Sequence, residues 1–328
     1  MNSYGIHSSK QNNTGWLKKE IKAFLDFCDF DRRLSLNTHK AYSMDLDQFA
    51  AYVANQPSLK RLEDITRGEV RSFLRSFGEF KPRTINRKTA TLKAFFGYLE
   101  GEERLETNPT YKLNFRIKVP QRLPRNLSQL EIQILFRGLY ARLNQIGDRQ
   151  SYAYLKQLRE LVVMETLYNT GMRVSEVSNL LLDDVHLEEG YFHVIGKGNK
   201  DRIIPICGDD FIRRLKEYIN VEHDSDWEDN PDSYFFQNRD RNRLSEQSIR
   251  FLVRKNCNSS ALRKVTPHVF RHTIATQLLE EGTDIRIIQK FLGHSSITTT
   301  TIYAAVSNQT QKSIILANHP RQKLKFAG

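Results

Sequence analysis

Apolar residues recur with the period of an α-helix through almost the whole chain, and that period gives way to strand-like alternation in one short stretch, 185–206. This pattern restricts the fold more than any other feature, because the two periods place side chains on incompatible faces. From Trp16 onward, Leu17, Ile21, Phe24, Leu25 and Cys28 share one helical face. A second helix, capped by Ser35 or Asn37, carries Tyr42, Leu46, Phe49, Ala50 and Val53. A third opens on the capping-box pattern Thr66-x-x-Glu69 and carries Val70, Phe73, Leu74 and Phe77. A fourth carries Ile85, Thr89, Leu92, Phe96 and Leu99. Four amphipathic helices within 15–105, after a tail over 1–14, predict a small helical bundle.

Asn108-Pro109, Pro120 and Pro124 then interrupt any helix. Residues 106–127 read as an interdomain linker, made basic by Arg116, Lys118, Arg122 and Arg125. A second domain, 128–328, opens on another capping box, Ser128-x-x-Glu131. Helices are predicted from there to about Tyr140, over 153–169 ending at Gly171, and in a short piece from Arg173. Three strands follow at 185–187, 191–195 and 202–206, the last two joined by the hairpin turn Gly196-Lys197-Gly198-Asn199-Lys200. Further helices are predicted at 209–220, 246–257, 267–281, 285–292 and 309–317, with an acidic surface loop at 223–232. The predicted fold class is mainly α with a small antiparallel sheet: a helical bundle followed by an α+β domain.

Fifty Lys and Arg stand against 38 Asp and Glu, a net charge of +12 spread along the chain. A distributed positive field points to a polyanion, and nucleic acid is the usual one. On the fourth helix, Arg83, Arg87, Lys88 and Lys93, with Lys81 just before it, make a row suited to a DNA backbone, or else an ordinary solvated face. The three cysteines are far apart, which excludes a disulfide framework or a CxxC metal site and fits a reducing cytoplasm. No secretory leader and no membrane-length apolar run is expected.

One constellation carries chemistry. Pro267-His268-Val269-Phe270-Arg271-His272 opens a helix with His268, Arg271 and His272 on one face. The 285–292 helix stops at Gly293, His294 follows at once, and Tyr303 lies nine residues on. A phenol is about one part in a thousand ionised at neutral pH, so a nucleophilic tyrosine needs cations and a proton acceptor nearby. Attack on a phosphodiester also loads negative charge on the non-bridging oxygens, which preorganised cations must meet. Arg173 and Arg271 suit that grip, since guanidinium stays charged and offers a planar fork. Lys197 suits the general acid for the departing 5′-oxygen, His268 and His294 the phosphate or the tyrosine proton, Glu176, three residues after Arg173, the orientation of that side of the site, and Tyr303 the attack. His272 reads as structural.

These residues, in this order, resemble the tyrosine recombinase (phage integrase) family. The resemblance rests on Thr170-Gly171-Met172-Arg173 with Glu176, on Lys197 in Gly-Lys-Gly, on His268 to Arg271, on Leu292-Gly293-His294, and on Tyr303. The spacings look most like the Xer-type bacterial members. The resemblance implies a core-binding domain and a catalytic domain that clamp double-stranded DNA at inverted-repeat sites. It further implies a homotetramer, a 3′-phosphotyrosine intermediate, strand exchange through a Holliday junction, and a C-terminal helix for protomer contacts. It implies no metal, ATP or other cofactor for the chemistry, and leaves open a second recombinase or accessory protein. Two other readings stand beside it. His268-x-x-x-His272 has the spacing of a two-His zinc site, although Val269 stands where that motif needs its Glu base. A DNA-binding protein without catalysis would have no use for Tyr303.

Overall fold

The structure, a computed structural model, describes residues 14–78, 80–113, 115, 117, 125–196, 201–223, 233–262, 265–293 and 308–324. The chain is mainly helical with one three-stranded antiparallel sheet among these residues, and it divides into two compact units, Met1–Arg122 and Leu123–Gly328.

The first unit is built from α1 (Gly15–Phe30), α2 (Leu36–Ala54), α3 (Arg67–Arg75) and α4 (Pro82–Gly101). Ser35 caps α2, its hydroxyl accepting from the Thr38 N–H at 3.3 Å. Thr66 caps α3 in the same way, but only half of the predicted box forms: the Glu69 carboxylate accepts instead from Tyr52 Oη at 3.1 Å. Pro82 occupies the first turn of α4, where an absent N–H costs nothing. The core joins Leu17, Phe24, Leu46, Phe49, Val70, Phe73, Leu92, Phe95 and Phe96. Because α4 packs against α1, α2 and α3, it buries more of its circumference than one apolar stripe predicts.

That geometry corrects one residue of the predicted basic row. Lys88 is not on the exposed face; it is 2% exposed. Its ammonium donates to Asp45 Oδ1 at 2.8 Å and to Gln48, and lies 4.5 Å from the Phe77 ring centre. A buried ammonium is tolerated only when paired, and Asp45 on α2 supplies the pair. Lys81, Arg83 and Lys93 are exposed, and Arg87, also exposed, bonds Asp45 from the outer side at 2.6 Å.

In the second unit the Ser128–Glu131 box forms in both directions, at 3.2 and 2.8 Å, and starts α5 (Gln129–Asn144). Helix α6 (Tyr152–Thr170) is buried without interruption from Leu158 to Thr170 and packs against α5 and α8 (Asp209–Glu222). It stops at Gly171, whose φ of +59° is the left-handed cap glycine tolerates. After the short α7 (Val174–Asn179) come β1 (Val185–His186), β2 (Tyr191–Ile195) and β3 (Asp201–Pro205), in that spatial order. Pro205 is on an edge strand, where its missing N–H leaves no ladder bond unmade. The last β2–β3 pair is Ile195 with Asp201, so the ladder runs to the base of the hairpin. Helices α9 (Glu246–Ser259), α10 (Pro267–Glu280), α11 (Ile285–Leu292) and α12 (Asn308–Asn318) complete the unit.

One reading of the second unit changes. His223, assigned to the acidic loop, closes α8, is buried, and bonds the Phe235 carbonyl through Nε2 at 3.0 Å; residues 224–232 lie outside the described residues. The C-terminal helix α12 packs against β3, and its Ile315 belongs to the unit's core, as does Leu324 beyond the helix. A short 3-10 turn, Pro320–Lys323, locks it there. The Arg321 guanidinium, 1% exposed, meets both oxygens of the fully buried Glu165 at 2.8 and 3.0 Å. His319 donates from Nε2 to the Asn169 carbonyl at 2.8 Å and accepts the Arg321 N–H at Nδ1.

Candidate active site

The end of α11 organises the site. A helix C-terminus carries unpaired carbonyls and a partial negative charge, which cations can satisfy. Here three arginines do so at three successive residues. Arg202 Nε donates to the Phe291 carbonyl at 3.1 Å, Arg271 Nη2 to that of Leu292 at 2.6 Å, and Arg173 Nη2 to that of Gly293 at 2.8 Å.

Each arginine arrives from a different element. Arg271 lies one turn into α10, and its Nη1 also donates to the Gly171 carbonyl at 2.8 Å. Gly171 therefore does two things: it ends α6 at positive φ, and its lack of a side chain lets α11 close over it. A Cβ there would lie 2.6 Å from Leu292 Cδ2. Two residues on, Arg173 is the N-cap of α7, and Glu176 closes the box by accepting the Arg173 N–H at 2.8 Å. The same carboxylate accepts Arg173 Nη1 at 2.7 Å, and Arg202 Nη1 and Nη2 at 3.1 and 2.8 Å. Burial works to raise the pKa of the Glu176 carboxyl, but Arg202 and Arg173 outweigh it and hold it below the ordinary value.

The cluster carries more positive charge than it can hold comfortably. Burial first, then the neighbouring Arg173 and Arg202 charges, bring the Arg271 guanidinium down from 12.5 to about 10, with Glu176 offsetting part of this. An anion placed against Arg173 and Arg271 would relieve that repulsion. Arg173, whose side chain is 32% exposed, is the more open of the two.

Of the residues singled out in the sequence, the structure thus brings together Arg173, Arg271 and Glu176. His268 stands exposed on α10, one turn before Arg271, and His272 is half-buried. Among the described residues no group of three His, Cys, Asp or Glu is placed to hold a metal ion, so the two histidines have no third ligand there. Lys197, His294 and Tyr303 lie outside the described residues. Their chain neighbours are in place: Gly196 leads into the hairpin from β2, Asp201 leaves it into β3, and Gly293 precedes His294. Arg202 was missed in the sequence, where it is only the first residue of a predicted strand. Nothing local marks it, because its partners are 26 and 89 residues away.

Residues 140–310 match the Phage integrase family, and residues 21–103 match the Phage integrase, N-terminal SAM-like domain. A tyrosine recombinase of Agathobacter rectalis is 35% identical over 94% of this chain and 99% of its own length. The chain belongs to the phage integrase family of tyrosine recombinases. Tyrosine recombinase XerC of Herpetosiphon aurantiacus is 34% identical over 89% of this chain and 92% of its own. Tyrosine recombinase XerD of Halalkalibacterium halodurans is 32% identical over 93% and 99%. Among solved structures, the XerH recombinase in a post-cleavage complex with difH DNA superposes with a TM-score of 0.70 at 20% identity, covering 98% of both chains. A lambda integrase tetramer bound to a Holliday junction gives 0.62 at 19% identity, covering 89% of this chain and 80% of its own. These two matches establish the recombinase fold. Among the described residues, no helix is long and apolar enough to cross a membrane.

Proposed function

We propose that this recombinase cuts and rejoins double-stranded DNA at a specific site through a covalent 3′-phosphotyrosine at Tyr303. The observation that carries this is the arginine cluster on the end of α11: a largely buried set of guanidiniums, with Arg173 open to solvent, from which the chain passes directly into His294 and, nine residues later, Tyr303. Arg173 and Arg271 grip the non-bridging oxygens of the scissile phosphate and stabilise the charge that builds as Tyr303 Oη attacks. His268 or His294 takes the phenol proton. The P–O5′ bond breaks as the P–O(Tyr) bond forms, and Lys197 protonates the leaving 5′-oxygen. The phosphotyrosine ester keeps the bond energy, so a 5′-hydroxyl from a partner strand reverses the step and seals the exchange.

The wider reading follows the relatives. Four copies assemble on two inverted-repeat sites and exchange strands in pairs through a Holliday junction, as the tetramer form of lambda integrase suggests. Lys81, Arg83, Arg87 and Lys93 bind the duplex backbone. The protein works in the cytoplasm on chromosomal DNA, in chromosome partition or in moving an integrated element, alone or with a second recombinase or accessory protein.

The test uses purified full-length protein and a pool of nicked duplexes with randomised inverted repeats. Covalent adducts are captured under denaturing conditions and their DNA is sequenced. Wild type is expected to enrich one site, with adduct formation unchanged by EDTA. On that site Tyr303→Phe is expected to bind normally and form no adduct. Arg271→Ala is expected to slow cleavage by about a hundredfold or more. An adduct formed by Tyr303→Phe would assign the nucleophile elsewhere, and tight binding without any wild-type adduct would leave a binding protein.

A further inference from the structure

We infer that Arg202 is a positioning residue of the phosphate clamp, holding Arg173 in its working pose through Glu176 and the end of α11; the inference rests on the phosphodiester chemistry proposed above. Arg202 lies on β3, beside the hairpin rather than in the cluster's own helices, and its side chain is 9% exposed. An ionised carboxylate offers about four lone-pair positions. Those of Glu176 receive four donors: Arg173 Nη1 and Arg202 Nη1 at Oε1, and the Arg173 N–H and Arg202 Nη2 at Oε2. Arg202 therefore occupies the positions through which Arg173 would otherwise close a two-pronged pair with Glu176. Held to one prong, Arg173 points its Nη2 to the Gly293 carbonyl, alongside Arg271.

Arg202 also sets where the chain leaves α11. Its Nε bonds the Phe291 carbonyl, and a Cβ on Gly293 would lie 3.0 Å from its Nη1. The φ of +67° at Gly293 adds a second reason for glycine there. All three nitrogens of Arg202 thus donate to protein groups, Nε to Phe291 and Nη1 and Nη2 to Glu176. It does not grip the DNA; it decides how the groups that grip it are aimed.

The test compares wild type with Arg202→Met on one duplex sequence carrying three scissile linkages: an ordinary phosphate, a methylphosphonate and a 5′-bridging phosphorothiolate. The methylphosphonate removes a non-bridging charge and so reduces the need for the clamp; the bridging sulfur leaves without a proton and so removes the need for the acid. On ordinary DNA, Arg202→Met is expected to bind normally and cleave about ten- to a hundredfold more slowly, the range typical of losing a group that orients a ligand. That defect is expected to shrink on the methylphosphonate and persist on the phosphorothiolate. Should the Met variant fold poorly, the same comparison is read in Arg202→Lys, which keeps the charge but cannot span both Glu176 oxygens. Wild-type rates in the variant, an equal defect on all three linkages, or recovery on the phosphorothiolate would overturn the inference. Absence of any wild-type adduct would overturn the proposed reaction first, and this inference with it.

Discussion

His319 shows how one buried side chain can set a pH dependence. Burial is the main cause that lowers its pKa from 6.5 to about 4, and the Arg321 charge adds to it, although the bond to the Asn169 carbonyl works the other way. The folded chain keeps this imidazole neutral while the unfolded chain protonates it below pH 6.5. The stability it contributes is therefore complete above pH 6.5 and is lost as the pH falls towards 4, by up to about 3 kcal/mol. His193 acts in the opposite sense. Burial pulls its pKa down, but Asp184 and Asp201 raise it overall, so its contribution fades as the pH rises. The informative measurement is a difference: urea midpoints of wild type and His319→Gln between pH 7.5 and 5. Wild type is expected to lose more stability over that range, and parallel curves would count against a neutral buried imidazole.

Helix α4 makes its prediction as an element, because its basic residues divide by the side on which they lie. Arg83 and Lys93 are exposed, while Lys88 is sealed against Asp45. If α4 lies along a DNA backbone, Arg83→Ala and Lys93→Ala should each weaken binding evenly across sequences and reduce the salt dependence by about one counterion. Lys88→Ala should leave that slope unchanged and instead destabilise the first unit, since it removes one of the two cations paired with the buried Asp45 and leaves only Arg87. Fluorescence anisotropy at several salt concentrations separates the effects; a reduced slope for Lys88→Ala would contradict its burial. The apolar period of α4 was legible in the sequence, but its second buried side was not. Periodicity shows one core-facing stripe, and only packing against three other helices shows that another is covered.

At the scale of the molecule, each unit has its own hydrophobic core, and among the described residues the two cores share no member. The second unit also contains the whole arginine cluster and the Arg321–Glu165 lock. A fragment spanning 125–328 is therefore expected to unfold in a single cooperative calorimetric transition and to retain cleavage of a nicked site. Its DNA affinity should be lower, because the row on α4 is gone. A fragment that fails to fold would show that the second core depends on the first unit.

The features determined by sequence alone are those whose cause lies within a few residues. They include the helical and strand periods, the Ser128–Glu131 box, the glycine stops at 171 and 293, and the ordered series from Arg173 to Tyr303 that marks the family. Tertiary structure alone decided the burial of Lys88, the locking of Arg321 onto Glu165 across 156 residues, and the place of Arg202 beside Glu176. The reason is physical: a charged side chain looks the same in sequence whether it faces water or a partner, and its fate is settled by which distant group the fold brings opposite it.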